Sequence, residues 1–146
     1  MTYNSAALEA AESLIPTDAV ESSRRVDALD AEIMRGALAE RFFPKLRLQQ
    51  LLLEVTALYS FFSNRYWKFK ALKDNQEVET YVGLKKNTLA TGEKFVSASG
   101  EREAAYSVRE LNYLVGFYQG NFTRCQEYIN STKKLLETLE KDEQVA

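Results

Sequence analysis

Histidine is absent from the 146-residue chain, and cysteine occurs once, as Cys125. Without an imidazole, the common zinc sites and the Ser–His and Cys–His nucleophile pairs are excluded. The lone thiol fits a reducing compartment, and we expect it to be a small buried apolar side chain.

Phosphate-binding loops of the GxxxxGK[ST] or GxGxxG type are also absent. Carboxylate-based catalysis stays open, but no pair of acidic residues is singled out by its surroundings. We therefore expect a protein that is not an enzyme and that uses no metal or cofactor.

Proline and glycine are scarce, with 2 and 6 residues, and both prolines, Pro16 and Pro44, lie in the first third of the chain. The roughly one hundred residues that follow contain no strong helix breaker except scattered glycines, which predicts a mostly helical protein. No uninterrupted apolar run is long enough to span a bilayer, and the first residues, MTYNSAALEAAESL, do not resemble a signal peptide. These features predict a soluble cytoplasmic protein of about one domain, with no membrane partner.

Charge is unevenly distributed along the chain. Residues 1–40 contain eight acids and three bases, residues 41–102 contain eleven bases and six acids, and residues 103–146 contain five bases and seven acids. The pI of about 5.4 therefore hides a middle third with a net charge of +5. This pattern indicates a local site for anions rather than a general polyanion binder.

The acidic N-terminal segment, residues 1–43, is expected to be a short helical arm. It divides into a helix from Ala6 to about Leu14 and a second one from an N-cap at Ser22 or Ser23 to about Phe42. The second helix has a weak apolar stripe, so we expect it to dock against a larger core or a partner.

Residues 44–146 are expected to form a helical hairpin, because apolar residues alternate at spacings of four and three from Leu48 to Phe69 and again from Val108 to Leu139. The fold class that follows is all-α: a long antiparallel, coiled-coil-like hairpin with the helical arm attached. Additional apolar rows beside both seams predict that the hairpin packs against copies of itself. The residues expected at that homo-oligomer interface are Leu114, Phe122, Tyr128, Ile129, Leu135 and Leu136.

The heptad phase is lost in residues 74–100, which we interpret as a basic connecting segment. A short helix or irregular stretch near Val78–Leu89, a turn at Gly92 and an extended piece at Lys94–Ser97 are predicted there. Ser99 is the expected N-cap of the last helix.

The stretch NRYWKFKALK, residues 64–73, combines three aromatic rings with four cationic side chains. Tyr66 and Phe69 fall on the seam, which favours core positions. Trp67 lies off the seam among polar residues, so its ring either docks on protein or is offered to a ligand. The connecting segment must fold back nearby, so we expect its lysines to join this stretch at one end of the hairpin. The predicted nucleic-acid-binding residues are Arg65, Trp67, Lys68, Lys70, Lys73, Lys85, Lys86 and Lys94.

Cations that neutralise phosphates and a ring that stacks on bases are the two components of sequence-independent binding to single strands. The alternative interpretation is that these bases only complement the dipole at a helix C-terminus.

The arrangement of a long helix, a basic polar insertion and a second long helix resembles the UvsY-type recombination mediators of T-even phages. The resemblance covers residues 45–140, and the runs KFVSASGEREAAYSVRELNYLVGFY and NFTRCQEYINSTKKLLETL are the parts that suggest it most. It implies a phage protein, in the host cytoplasm, that forms an oligomeric ring on single-stranded DNA and helps to load a recombinase onto strands coated by single-strand binding protein. The longer acidic arm departs from that pattern, and no individual functional residue is carried over.

Two functions are therefore expected as alternatives. One is an oligomeric single-stranded DNA-binding accessory protein of recombination or replication. The other is a scaffold, adaptor or chaperone that works through protein–protein contacts alone.

Overall fold

A computed structural model of the protein describes residues 13–39 and 44–145, with the side chains of all of these except 36–39. The described residues form four helices and no strand, which confirms the all-α class. Within them, no helix is both long enough and apolar enough to cross a bilayer. The helices are α1 (Thr17–Ala39), α2 (Lys45–Ala90), α3 (Ser97–Ser107) and α4 (Arg109–Val145).

Helix α1 begins five residues before the predicted caps at Ser22 and Ser23. The carbonyl of Pro16 accepts hydrogen bonds from the amides of Ala19 (3.0 Å) and Val20 (3.1 Å), so the first helical turn follows directly after the proline. Ala19 is fully buried and extends the apolar stripe backwards by two turns, which explains the earlier start. The predicted helix over residues 6–14 lies almost entirely outside the described residues, as does the predicted end at Phe42.

Helix α2 continues to Ala90, through most of the segment predicted to be a connection. It ends in a Schellman motif at Gly92, whose φ of +75° lies in the left-handed region that favours glycine. The amide of Gly92 donates to the carbonyl of Leu89 (3.2 Å), and the amide of Glu93 donates to that of Thr88 (3.2 Å). The predicted turn at Gly92 is confirmed. Of the extended piece predicted at Lys94–Ser97, Val96 has extended backbone, whereas Ser97 already belongs to α3.

The last helical region is broken once, at Val108, into α3 and α4. Val96 occupies the N-cap of α3 without a side-chain hydrogen bond, so the expected cap at Ser99 is wrong. At the break, the carbonyl of Ser107 accepts a hydrogen bond from the side-chain amide of Gln76 (3.2 Å). The Ser107 hydroxyl lies 3.2 Å from that of Thr80 and donates to the carbonyl of Ala104 (2.7 Å).

The described residues divide into two compact units. Among the described residues, the α2–α3 unit comprises residues 13–15 and Arg65–Phe117, and the three-helix unit comprises residues 16–39, 44–64 and 118–145. In the three-helix unit, α1 packs with the first part of α2 and the last part of α4. Its buried side chains include Val26, Leu29, Leu48, Leu51, Val55, Phe62, Tyr118, Cys125, Ile129 and Thr132.

Helices α2 and α4 run in opposite directions within the three-helix unit. Lys45 Nζ lies 3.1 Å from Glu143 Oε2, whereas further along α2 the rings of Phe62 and Tyr118 are 6.3 Å apart. The rings of Tyr59 and Phe122 meet edge to face between these two points, at 6.1 Å.

The acids of α1 pair with arginines of α2 and α4 in the same unit. Arg47 donates to both carboxylate oxygens of Glu32, at 2.5 and 2.6 Å, and these hydrogen bonds hold the pKa of Glu32 below its ordinary value. Arg124 donates to Asp27 at 2.6 Å. The acidic segment therefore neutralises these arginines, neither of which belongs to the predicted nucleic-acid-binding set.

Candidate nucleic-acid interface

Just after Arg65, where α2 enters the α2–α3 unit, the helix exposes an indole ring beside a lysine. Trp67 is 59% exposed, whereas the preceding Tyr66 is only 7% exposed, as expected for a seam position. Their ring centroids are 5.0 Å apart. The ammonium of Lys70 lies 5.3 Å from the centroid of the Trp67 ring and 5.9 Å from that of Tyr66. This cation–π contact fixes a positive charge at the edge of the exposed aromatic surface.

Four of the predicted residues lie together within two turns of α2, and we refer to Arg65, Trp67, Lys68 and Lys70 as the basic–aromatic cluster. Lys68 is exposed, and its ammonium is 6.0 Å from the centroid of the half-buried Phe69 ring. Because the helix rises about 1.5 Å per residue, the four residues span roughly 8 Å along the helix axis. That distance is comparable to one or two nucleotides.

Lys73 does not share this setting. Its ammonium lies 3.7 Å from both Asp74 and Glu77, and only 23% of its side chain is exposed. Neighbouring carboxylates therefore offset the charge of Lys73, so this residue is not part of the proposed interface.

The other predicted lysines do not converge with the cluster. Lys85 and Lys86 follow on the same uninterrupted helix, so that Arg65 and Lys86 are separated by about 32 Å along its axis. Lys94 lies in the turn after α2. The prediction that the connecting segment, residues 74–100, collects all these cations at one end is wrong, because α2 continues unbroken to Ala90. Three acids, Asp74, Glu77 and Glu79, also lie between the two groups of bases.

No group of histidine, cysteine or carboxylate side chains suited to a metal ion occurs among the described residues. No family model, curated protein or solved structure matches this chain.

Three of the six residues predicted to form an oligomer interface, Leu114, Phe122 and Ile129, pack within the chain's own units. Leu114 and Ile129 are 8% and 7% exposed, so their side chains belong to the cores of their units and are not available to another copy. Phe122 is half-buried against Tyr59, at a ring distance of 6.1 Å. Tyr128, Leu135 and Leu136 are half-buried as well.

Sequence reasoning missed a row of exposed apolar side chains on the later part of α2. Val78, Val82 and Leu89 are 62%, 41% and 59% exposed, and Ala71 is exposed above them. We refer to Ala71, Val78, Val82 and Leu89 as the outer row. Their spacings of seven, four and seven residues place them on one side of a helix, but the pattern becomes visible only when residues 74–90 are treated as helical.

Cys125 is fully buried, and this burial raises the pKa of its thiol to about 11. The folded protein therefore retains a proton that the unfolded chain releases above its ordinary pKa, so this residue's contribution to stability falls as the pH rises from about 9 to 11. We expect alkylation by iodoacetamide at pH 8 to be slow until denaturant is added. The stability advantage of the wild type over Cys125→Ala should shrink between pH 8 and 10.5 in urea titrations; a constant difference would contradict the assignment.

Proposed function

We propose that the protein is a single-stranded DNA-binding accessory protein of recombination or replication that acts as a recombinase-loading mediator. The observation that carries this proposal is the exposed Trp67 ring with the Lys70 ammonium 5.3 Å from its centroid and exposed Lys68 beside it. An exposed ring stacks on bases of any identity, and the cations release counterions from the backbone. The resemblance to UvsY-type mediators supports the same proposal and adds a recombinase or single-strand binding protein as the protein partner.

The proposal includes a coiled-coil-like hairpin made by the two long helices and its assembly into a homo-oligomer. The regular spacing of three and four residues in both helices supports the hairpin. Oligomerisation would place several basic–aromatic clusters along one strand, so that weak single sites act together.

The direct test is a titration of the full chain with labelled oligothymidine, followed by anisotropy and by the fluorescence of Trp67, which is the only tryptophan. We expect quenching of Trp67 and an affinity that falls with salt with a log–log slope of about −2 for three phosphate contacts on a single strand. Lys68→Glu combined with Lys70→Glu should reduce affinity at least tenfold, because each replaces attraction by repulsion.

The matched control is Lys133→Glu with Lys134→Glu, an exposed lysine pair on α4 in the three-helix unit. It makes the same change in net charge, so equal losses in both double variants would indicate non-specific attraction only. A protein that binds no oligonucleotide at low salt would rule out the proposed function.

A second candidate function is a scaffold, adaptor or chaperone acting through protein contacts alone. The exposed outer row favours it, because apolar side chains clustered on one side of a helix are typical of protein interfaces. A defined assembly that captures one protein partner, has no affinity for DNA and is disrupted by Val78→Asp would select this candidate.

A further inference from the structure

The outer row lies on the exposed side of α2 in the α2–α3 unit. At about 100° per residue, Ala71, Val78, Val82 and Leu89 fall within an arc of roughly 40°. Tyr66, which is buried, and Leu84, which is half-buried, lie roughly 140° away on the same helix. Helix α3 packs on that opposite side, where the Ser107 hydroxyl of α3 lies 3.2 Å from the Thr80 hydroxyl of α2.

We propose that a second copy of this chain packs on the outer row, with the two α2 helices antiparallel and related by a twofold axis that crosses the helices at the level of residue 80. In this register the residue numbers of facing positions sum to about 160. Val78 then faces the partner's Val82, and Ala71 faces the partner's Leu89. Each contact occurs twice, which makes the surface complementary to itself, as a closed dimer requires.

Charge complementarity identifies a second copy as the occupant. Asp74 and Lys85 lie on the same flank of the outer row, about 20° apart around the helix. An antiparallel twofold pair brings like flanks together, so Asp74 of each chain meets the partner's Lys85 at nearly the same level. The Asp74 side chain is 53% exposed, with Lys73 3.7 Å away, and Lys85 is exposed. In a parallel in-register pair, Asp74 and the partner's Lys85 would lie about 16 Å apart along the axis and on different flanks, so they could not pair.

The proposed interface is small. Residues 71–89 extend about 27 Å, which corresponds to the low end of specific interfaces, and we expect a dissociation constant on the order of micromolar. The interface leaves Trp67, Lys68 and Lys70 just outside the paired region. The turn of the partner copy, which carries the partner's Lys94, then lies level with Trp67.

The dimer does not depend on DNA binding and is tested without DNA, by sedimentation equilibrium of the full chain over a series of concentrations. We expect a monomer–dimer equilibrium in the wild type. Asp74→Lys and Lys85→Asp should each weaken association at least tenfold, because each produces two repulsive pairs. The double variant Asp74→Lys with Lys85→Asp should return to within about threefold of the wild type, since it restores both pairs in reversed order.

Glu127→Lys, an exposed reversal on α4, serves as the control for net charge and should leave association unchanged. Val78→Asp with Val82→Asp should abolish the dimer while circular dichroism shows the helix content intact. A wild type that stays monomeric at the highest concentration, or a double variant that remains as weak as the single ones, would overturn the proposal. Association that only DNA induces would also overturn it, and would leave the proposed function standing.

Discussion

Replacing Phe62 by alanine is expected to lower the free energy of unfolding by about 3–5 kcal/mol. Phe62 is fully buried in the three-helix unit, and its ring contacts those of Phe61 at 5.1 Å and Tyr118 at 6.3 Å. Truncation removes this apolar surface and leaves a cavity between α2 and α4 that the rigid neighbouring rings cannot fill. Urea denaturation followed by circular dichroism measures the loss.

Leu53→Ala provides the matched control on the same helix. Leu53 is 73% exposed, so its truncation should change the free energy of unfolding by no more than about 0.5 kcal/mol. Equal effects of the two substitutions would show that Phe62 does not contribute a special packing contact.

Gly100→Leu is expected to destabilise the α2–α3 unit by about 1–3 kcal/mol. A Cβ at this position would come within 2.5 Å of Phe95 Cζ and 3.3 Å of Tyr81 Cε2, so even the first added carbon displaces the edge-to-face pair between Tyr81 on α2 and Phe95, just before α3. A larger side chain must push α3 outwards. The gain in helix propensity over glycine, about 0.8 kcal/mol, is too small to compensate.

Gly83→Leu makes the same change of residue on α2, where an added Cβ meets nothing within 4 Å. There the propensity gain stands alone, and we expect stability to rise or stay equal. Thermal unfolding of both variants distinguishes the two sites; a stabilised Gly100→Leu would mean that Phe95 moves aside without cost.

The sequence predicted the long helices because burial follows spacing. All seven positions spaced by four and three from Leu48 to Phe69 are buried or half-buried, and so are the positions from Val108 to Leu139. A hydrophobic repeat of this length leaves few other ways to bury the same side chains.

The same reasoning did not identify residues 74–90 as part of the first long helix, because the inward row of this segment is short and mixed. Thr80, Tyr81, Leu84 and Thr88 are all half-buried towards α3, but two of them are threonines and Gly83 interrupts the series. This segment has weak helix propensity but stays helical because α3 covers one side of it. The pattern of a single sequence cannot reveal such a neighbouring helix.

The basic–aromatic cluster was recognisable from sequence, since its members are close neighbours in the chain. The position of Lys85, Lys86 and Lys94 relative to it was not, because that depended on where α2 ends. A misplaced helix end of seventeen residues moves those charges by about 25 Å.

In its first part, helix α2 belongs to the core of the three-helix unit. From Arg65 onwards, α2 belongs to the α2–α3 unit, in which the other described helices are the eleven-residue α3 and the first turns of α4. Amide protons of the earlier turns should therefore exchange with deuterium only on global unfolding, while those near Val82 open through local fraying. The single uninterrupted helix α2 should thus show slow exchange in its first part and fast exchange near Val82. Slowing of the fast exchange with rising protein concentration would show that a second copy of the chain covers these turns.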